Sequence, residues 1–232
     1  MKHYHLAIAL LAALTLSGCT VAYAQGASVS KTIGPLDLND DQRVAVSVTL
    51  RAGEVSAVAV GSDLAAALTF DTPLSRPTCT LDADGDQAVL TIAQPASVRR
   101  SALRGEKQQV DLTLPQHALE ALQVSLDAGR ATLDLRDASP ATVLARVGLG
   151  ALLLDLRGAH SGDMAVTVDV ALGAATVLLP DDMNIRLVTR RPASEIDYIG
   201  ISPEGRDVSP TAPTLTLTLS RGVGQAKLQL AD

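Results

Sequence analysis

The chain has 232 residues and a formal net charge of −6, and 47% of its residues are hydrophobic while only 2% are aromatic. The 19 lysine and arginine residues form no run longer than a pair, which argues against a nucleic-acid-binding protein because such proteins need a clustered basic face. An interior made of valine, leucine and alanine favours thin stacked layers over a thick globular core, within one or two domains.

The N-terminal segment has the pattern of an export signal. A short positive region precedes residues 6–16, an apolar stretch too short to span a bilayer as a mature helix. The stretch leads into residues 16–19, Leu-Ser-Gly-Cys, which closely resemble the lipobox of bacterial lipoproteins. The resemblance implies a signal peptide over residues 1–18 and acylation of Cys19. It also implies no inner-membrane retention signal, because Thr20 stands where that signal usually has aspartate.

Two locations remain open at this point. An acylated Cys19 would anchor the protein to a membrane of the bacterial cell envelope, facing the periplasm or the exterior. The alternative is a secreted protein cleaved after Ala24, because residues 22–24 have the small-x-small form of a signal-peptidase site. Residues 19–30 are small and polar, and we expect them to form a tether.

The cysteine content is compatible with the lipoprotein interpretation. Cys19 and Cys79 are the two cysteines of the sequence, so a lipidated Cys19 leaves Cys79 without an intramolecular disulfide partner. Cys79 is then either a reactive thiol or a small buried apolar residue, and we favour the buried residue.

A first β-rich unit is expected over residues 31–95. The alternation over residues 44–50 predicts a strand that ends at a corner near Gly53. Residues 82–86, Asp-Ala-Asp-Gly-Asp, lie between two strand-like runs and lack the ligand spacing of an EF-hand, so they predict a hairpin turn rather than a calcium loop. Residues 96–109 break the strand rhythm with a cluster of basic residues and predict a solvated loop or linker.

The part from residue 110 to residue 232 repeats one phrase. A glycine followed by an alternating apolar and polar run occurs at Gly129, Gly150 and Gly173, and weaker copies follow at Ser194 and Gly224. The clear copies recur about every 21–23 residues, a period that is typical of stacked repeats. A second alternating run precedes each glycine, as expected for half-buried strands.

Each repeat is therefore expected to be two strands joined at a corner, where glycine can adopt a positive φ without a Cβ penalty. We predict an all-β fold: a β-solenoid of stacked glycine-cornered strand pairs, with about 21–23 residues per repeat. The C-terminal β-solenoid would span residues 110–232. After a loop over residues 201–213, residues 215–230 would form a terminal hairpin or a closing coil.

The repeat brings two acidic residues together. Asp134 and Asp155 should lie one coil apart on the outer face, where a carboxylate pair could bind a cation or act as acid and base. Arg136 and Arg157 follow them two residues on, so a solvated ladder of ion pairs is favoured instead.

Other catalytic signals are weak. His117 and His160 fall in different turns with no cysteine beside them, which gives little support for a metal site. The sequence has no nucleophile elbow, phosphate-binding loop or paired-histidine zinc motif, and Asp181 and Asp182 after a proline predict a turn. We therefore expect no cofactor, no metal and no catalytic residue.

Several segments resemble the bacterial toastrack and LiaF-like β-solenoid domains: residues 46–55, 68–71 and 90–94 in the N-terminal half, and residues 126–129, 133–135, 150–156 and 172–180 in the C-terminal half. The resemblance implies an envelope location and regulatory roles such as sensing envelope stress next to a kinase. It supplies no catalytic residues. The lipobox replaces the transmembrane helices of LiaF-like proteins, which weakens the case for a kinase-regulating role.

The expected function is that of a non-enzymatic envelope lipoprotein acting as a structural or protein-interaction module. Its expected partners are the membrane, through acylated Cys19, and an unidentified envelope protein. The alternative is an enzyme acting on envelope polysaccharide on a β-helix scaffold, although the scarcity of aromatic side chains for sugar stacking argues against it. Specificity is expected in the departures from the repeat, at residues 96–109 and 201–213.

Overall fold

The computed structural model describes residues 20–22, 29–36, 42–70, 77–95, 108–190, 195–220 and 222–230. The strands in these ranges are β1 (Thr20–Ala22), β2 (Val29–Leu36), β3 (Arg43–Leu50), β4 (Gly53–Ala59), β5 (Leu64–Phe70), β6 (Thr78–Asp84), β7 (Gln87–Ala93), β8 (Gln108–Leu114), β9 (Leu119–Asp134), β10 (Thr142–Asp155), β11 (Met164–Leu179), β12 (Asn184–Thr189), β13 (Ile196–Ile199), β14 (Thr214–Leu219) and β15 (Val223–Leu230). No helix within these ranges is long and apolar enough to cross a membrane.

The long strands β9, β10 and β11 each turn a corner at a glycine, and each therefore forms two arms of one coil. In β10, Val143, Ala145 and Val147 are buried before the corner, whereas Leu152 and Leu154 are buried after it. The buried positions thus change from odd to even numbers across the corner, so that both arms direct their apolar side chains into one aliphatic core. The β-solenoid fold and its glycine corners are confirmed.

The coils stack in parallel register. β10 pairs with β9 on one side and β11 on the other, which places Gly150 between Gly129 and Gly173. Gly53 and Gly224 extend this glycine column at its two ends. The five glycines have φ angles between +130° and +142°, and a Cβ on any of the central ones would collide with the carbonyl oxygen of the glycine in the adjacent coil. The corner thus requires glycine both for its backbone conformation and for the close approach of the coils.

The order of coils at the C-terminal end differs from the order in the chain. β14 and β15 pair directly with β11, while β12 and β13 pair with the other edges of β14 and β15. The prediction that residues 215–230 form a terminal hairpin or a closing coil is therefore wrong. These residues form the penultimate coil, and the outermost coil is made by β12 and β13. Ser194, the expected corner of the outer copy, falls outside the described residues.

The N-terminal end is rearranged in the same way. The coil made by β3 and β4 lies between β9 and the coil made by β7 and β8. Beyond β8, the antiparallel strands β5, β2 and β1 extend the second arm, and β6 extends the first arm by pairing with β7. The predicted hairpin turn at residues 82–86 is confirmed, because β6 and β7 are joined by a two-residue turn after Asp84.

Two predicted irregular segments contain strand. The expected tether over residues 19–30 includes β1 and the first residues of β2, which pair with each other. The last two residues of the expected loop at 96–109 begin β8, while residues 96–107 fall outside the described ranges. The division between a unit at 31–95 and a solenoid at 110–232 stays a prediction. Strands from both sides of it pair with each other and share one core.

The coils are joined by turns on the side opposite the glycine column. Ala138, His160 and Met183 are buried in three successive turns and close this edge of the core. At the C-terminal end, the outer edge of β12 is bridged to Arg206. The side chain of Asn184 fixes the loop that follows: its Nδ2 donates to the carbonyl oxygens of Ser209 and Ala212 at 2.7 and 3.0 Å, and its Oδ1 accepts a hydrogen bond from the Val208 amide at 2.8 Å.

Candidate interaction surface

Exposed apolar side chains lie next to the glycine column. Ala128, Leu149 and Leu172 immediately precede the corner glycines and lie beside one another in register. We call these three residues the corner ridge. Leu149 is 51% exposed and Leu172 is 48% exposed, and they lie on neighbouring strands about 4.8 Å apart. Two large apolar side chains therefore stand side by side in solvent on a rigid part of the stack.

The position of the ridge follows from the change of parity at the corner. Leu149 has the same parity as Val147, which is buried, but the chain turns at Gly150 before Leu149 can enter the core. The residue is thereby held at the outer edge of the corner. Simple alternation predicts a buried Leu149, and for this reason the sequence reasoning missed the corner ridge. The signal that could have identified it is the leucine directly before the glycine in two consecutive copies.

Open grooves lie along the glycine column on both sides of the ridge. One has a volume of about 730 Å³ and is lined by residues including Gly53, Gln108 and Arg130. The other has a volume of about 900 Å³ and is lined by residues including Glu195 and Lys227. Near the first groove, Arg51 and Asp127 form an ion pair of 2.7 Å between two coils. Small residues along the column leave these grooves wide, and charged residues border them.

The predicted charge ladder is present on the outer face of the second arm. Asp134 and Asp155 are in register on β9 and β10. Arg136 binds Asp134 at 2.6 Å, and Arg157 binds Asp155 at 2.7 Å. A longer contact of 3.8 Å joins Arg136 to Asp155 and so connects the two coils.

These contacts account for the electrostatics of the ladder. The hydrogen bond from the Arg136 guanidinium lowers the pKa of the Asp134 carboxyl, and the backbone amide of Arg136 adds to the shift. The reciprocal interaction raises the pKa of Arg136, and Asp155 raises the pKa of Arg157 in the same way. Each carboxylate thus has an arginine partner, which favours a structural ladder over an acid–base pair.

The two histidines lie in different turns and differ in burial. His117 is exposed in the turn before β9. His160 is only 6% exposed, and its ring nitrogens lie 2.7 Å from the carbonyl oxygen of Ala138 and 2.6 Å from that of Leu156. Because these oxygens belong to two successive coils, His160 links one coil to the next. Its backbone amide donates to Asp182, which lies in the predicted turn.

The remaining candidate residues do not converge on one site. Cys79 has intermediate exposure and packs partly against the core, so it is less buried than predicted. Among the residues that the structure describes, no group of three or more histidine, cysteine or acidic side chains could hold a metal ion. Cys19 lies outside the described residues, next to the first residue of β1.

Comparison with solved structures finds proteins whose fold is similar over most of the chain. A candidate cell adhesion protein from Clostridium sporogenes has 16% sequence identity and a TM-score of 0.70, over 88% of this chain and 99% of that one. A candidate adhesin from Bacteroides fragilis has 12% identity and a TM-score of 0.29, over 87% of this chain and 96% of that one. At such identities the likeness concerns the fold alone. A search of curated proteins gives no match.

Sequence comparison identifies the family. The family described as the N-terminal domain of toast_rack, DUF2154, matches residues 24–178, which is more than half of the chain. The matched span includes residues 96–109, where the sequence suggested a boundary. The stacked glycine corners fall within this span from Gly53 to Gly173. The chain belongs to the toast_rack N-terminal domain family.

Proposed function

We propose that this protein is a non-enzymatic lipoprotein of the bacterial envelope that binds another envelope protein through the corner ridge. The observation that carries the proposal is the pair of half-exposed leucines, Leu149 and Leu172, fixed in register on a parallel stack. Exposed apolar rows on a rigid scaffold are suited to protein association because they can be buried without ordering a loop. The grooves beside the ridge, with charged borders, would add specificity.

The fold and the family support this class of function. Family membership places the chain with toast_rack domains, and a protein described as a candidate cell adhesion protein has a similar fold. Asp134 and Asp155, the acidic residues in register on the outer face, are paired with arginines rather than left available for acid–base chemistry. A role in sensing envelope stress is the finer part of the proposal and rests on the family resemblance.

The lipid anchor is tested by Cys19→Ser. The natural protein is expected in the membrane fraction with the mass of an acylated chain that begins at Cys19. The variant is expected to lose the acyl mass and to leave that fraction. An unchanged mass and an unchanged fraction in the variant would refute lipidation and would favour cleavage after Ala24.

Binding at the corner ridge is tested by a photo-crosslinking amino acid placed at Leu149 or Leu172 in cells. Leu153 provides the matched control, because it is also an exposed leucine of β10 but lies on the outer face of the second arm. We expect one crosslinked envelope protein from the two ridge positions and not from the control. Leu172→Asp should abolish the product at Leu149. Equal products from all three positions, or turnover of an envelope glycan by the purified protein, would overturn the proposal.

A further inference from the structure

The second arms of the coils join the N-terminal strands in one continuous sheet. Its ten strands run in the order β1, β2, β5, β8, β4, β9, β10, β11, β15 and β13, and each is paired with the next. At about 4.8 Å per strand, β1 and β13 are roughly 43 Å apart along the sheet. Among the described strands, β1 is thus one edge of this sheet, and β13 lies at the opposite edge.

The position of β1 matters because of the residue that precedes it. Thr20, the first residue of β1, is opposite Thr32 in β2, and the pairing continues through Ala22 and Ser30. Cys19 is covalently adjacent to Thr20, which belongs to the sheet. A lipid on Cys19 would therefore be attached to the edge of the folded stack and not to the end of a flexible tether.

We infer that the strands β1, β2 and β5 form the membrane-facing end of the protein, and that the stack projects the β12–β13 end away from a lipid bilayer. The inference rests on the proposed acylation of Cys19. The acidic net charge acts in the same direction: the full sequence has −6, and loss of Lys2 with residues 1–18 makes it −7. An anionic bilayer surface disfavours the approach of an acidic molecule along its whole length.

The far end of the stack has a surface suited to display. The loop after β13 is bridged to β12 between Ile185 and Arg206 by two backbone hydrogen bonds of 2.7 and 2.9 Å. Asn184 holds the next part of the loop through both atoms of its amide group. Val208 is exposed on this loop. An ordered loop is thus presented at the end that lies farthest from the anchor.

The orientation is tested by energy transfer from the acylated protein to a fluorescent lipid head group in vesicles. Single cysteines for the donor dye are placed at three exposed positions in a Cys79→Ser background: Thr32→Cys in β2, Leu153→Cys in β10 and Val208→Cys at the far end. Counted in strand spacings from β2, the β10 position lies about 24 Å away and the far end about 38 Å away. Transfer should decrease in the order Thr32, Leu153, Val208.

A matched variant carries a flexible Gly/Ser linker of about twelve residues inserted between Cys19 and Thr20. It keeps the anchor but removes the short connection to β1, and the differences among the three positions should become smaller. Equal transfer from the three positions of the vesicle-bound natural chain, or the reverse order, would overturn the orientation. Failure of acylation gives a different result, because the protein would then have no acyl mass and would not bind the vesicles.

Discussion

Gly150→Ala perturbs the glycine column at its centre. Gly150 has a φ of +142°, and an added Cβ would come closer than 3.0 Å to the carbonyl oxygen of Gly129. The backbone conformation alone costs an alanine about 1–3 kcal/mol. The collision cannot be relieved by rotating a side chain, because both atoms are fixed by the backbones of adjacent coils. The coils themselves must therefore move apart.

Separation of the coils weakens the hydrogen bonds that flank the corner between β9 and β10. Two such bonds contribute about 1 kcal/mol each, so that the total loss of unfolding free energy should be about 3–5 kcal/mol. For a chain of this size, such a loss lowers the Tm by roughly 6–20 °C. Urea and thermal unfolding of the Cys19→Ser protein, followed by circular dichroism, would measure both quantities.

Two other glycines serve as controls for this substitution. Gly85 has a φ of +60°, and apart from its chain neighbours no atom lies within 4 Å of an added Cβ, so Gly85→Ala adds the cost of a positive φ without a collision. Gly162 has an open environment and no positive φ in the unfavourable range, and Gly162→Ala should be close to neutral. The reasoning is refuted if Gly150→Ala destabilises the protein no more than Gly85→Ala does.

Three further predictions concern the polar contacts. Because Arg136 lowers the pKa of Asp134, ionised Asp134 stabilises the fold above its unfolded-state pKa of about 3.9, and this stabilisation is lost as the pH falls through the lower folded-state pKa. Urea titrations should therefore show a deficit in stability for Asp134→Asn at pH 6 that becomes smaller as the pH is lowered through the acidic range. His160→Ala should cost about 2–4 kcal/mol in urea unfolding because it removes the link between two coils, whereas exposed His117→Ala should cost almost nothing. Asn184→Ala should increase amide hydrogen exchange at residues 206–212 without changing exchange in β10; unchanged exchange in this loop would contradict the role of the amide.

The local pattern of the fold could be read from the sequence, and the order of the coils could not. Alternation on both sides of Gly129, Gly150 and Gly173 specifies strands, an inward face and a corner, because each of these depends on nearby residues. The choice of neighbour depends on the pairing of whole coils. Gly224 fits on Gly173 as well as any adjacent copy would, since all corners share one geometry. A repeat pattern cannot distinguish among equivalent neighbours.

The features of the candidate site could also be predicted only in part from the sequence. The ladder of Asp134 and Arg136 follows from a spacing of two residues in a strand, which places both side chains on one face. The contacts of His160 could not be foreseen, because both of its partners are backbone carbonyl oxygens in separate turns. The corner ridge was missed because Leu149 continues an inward alternation that is interrupted by the backbone conformation of the next residue.

The exchange of order at the C-terminal end bears on how the chain reaches its native state. β12 and β13 are synthesised before β14 and β15, yet in the native structure they pair with those later strands. The outermost coil therefore reaches its native position only after the last residues of the chain have formed the coil beneath it. Nascent-chain assembly therefore cannot proceed by adding layers in the order of translation. Deletion of the final 19 residues would remove the coil of β14 and β15 and would leave β12 and β13 without the strands with which they pair.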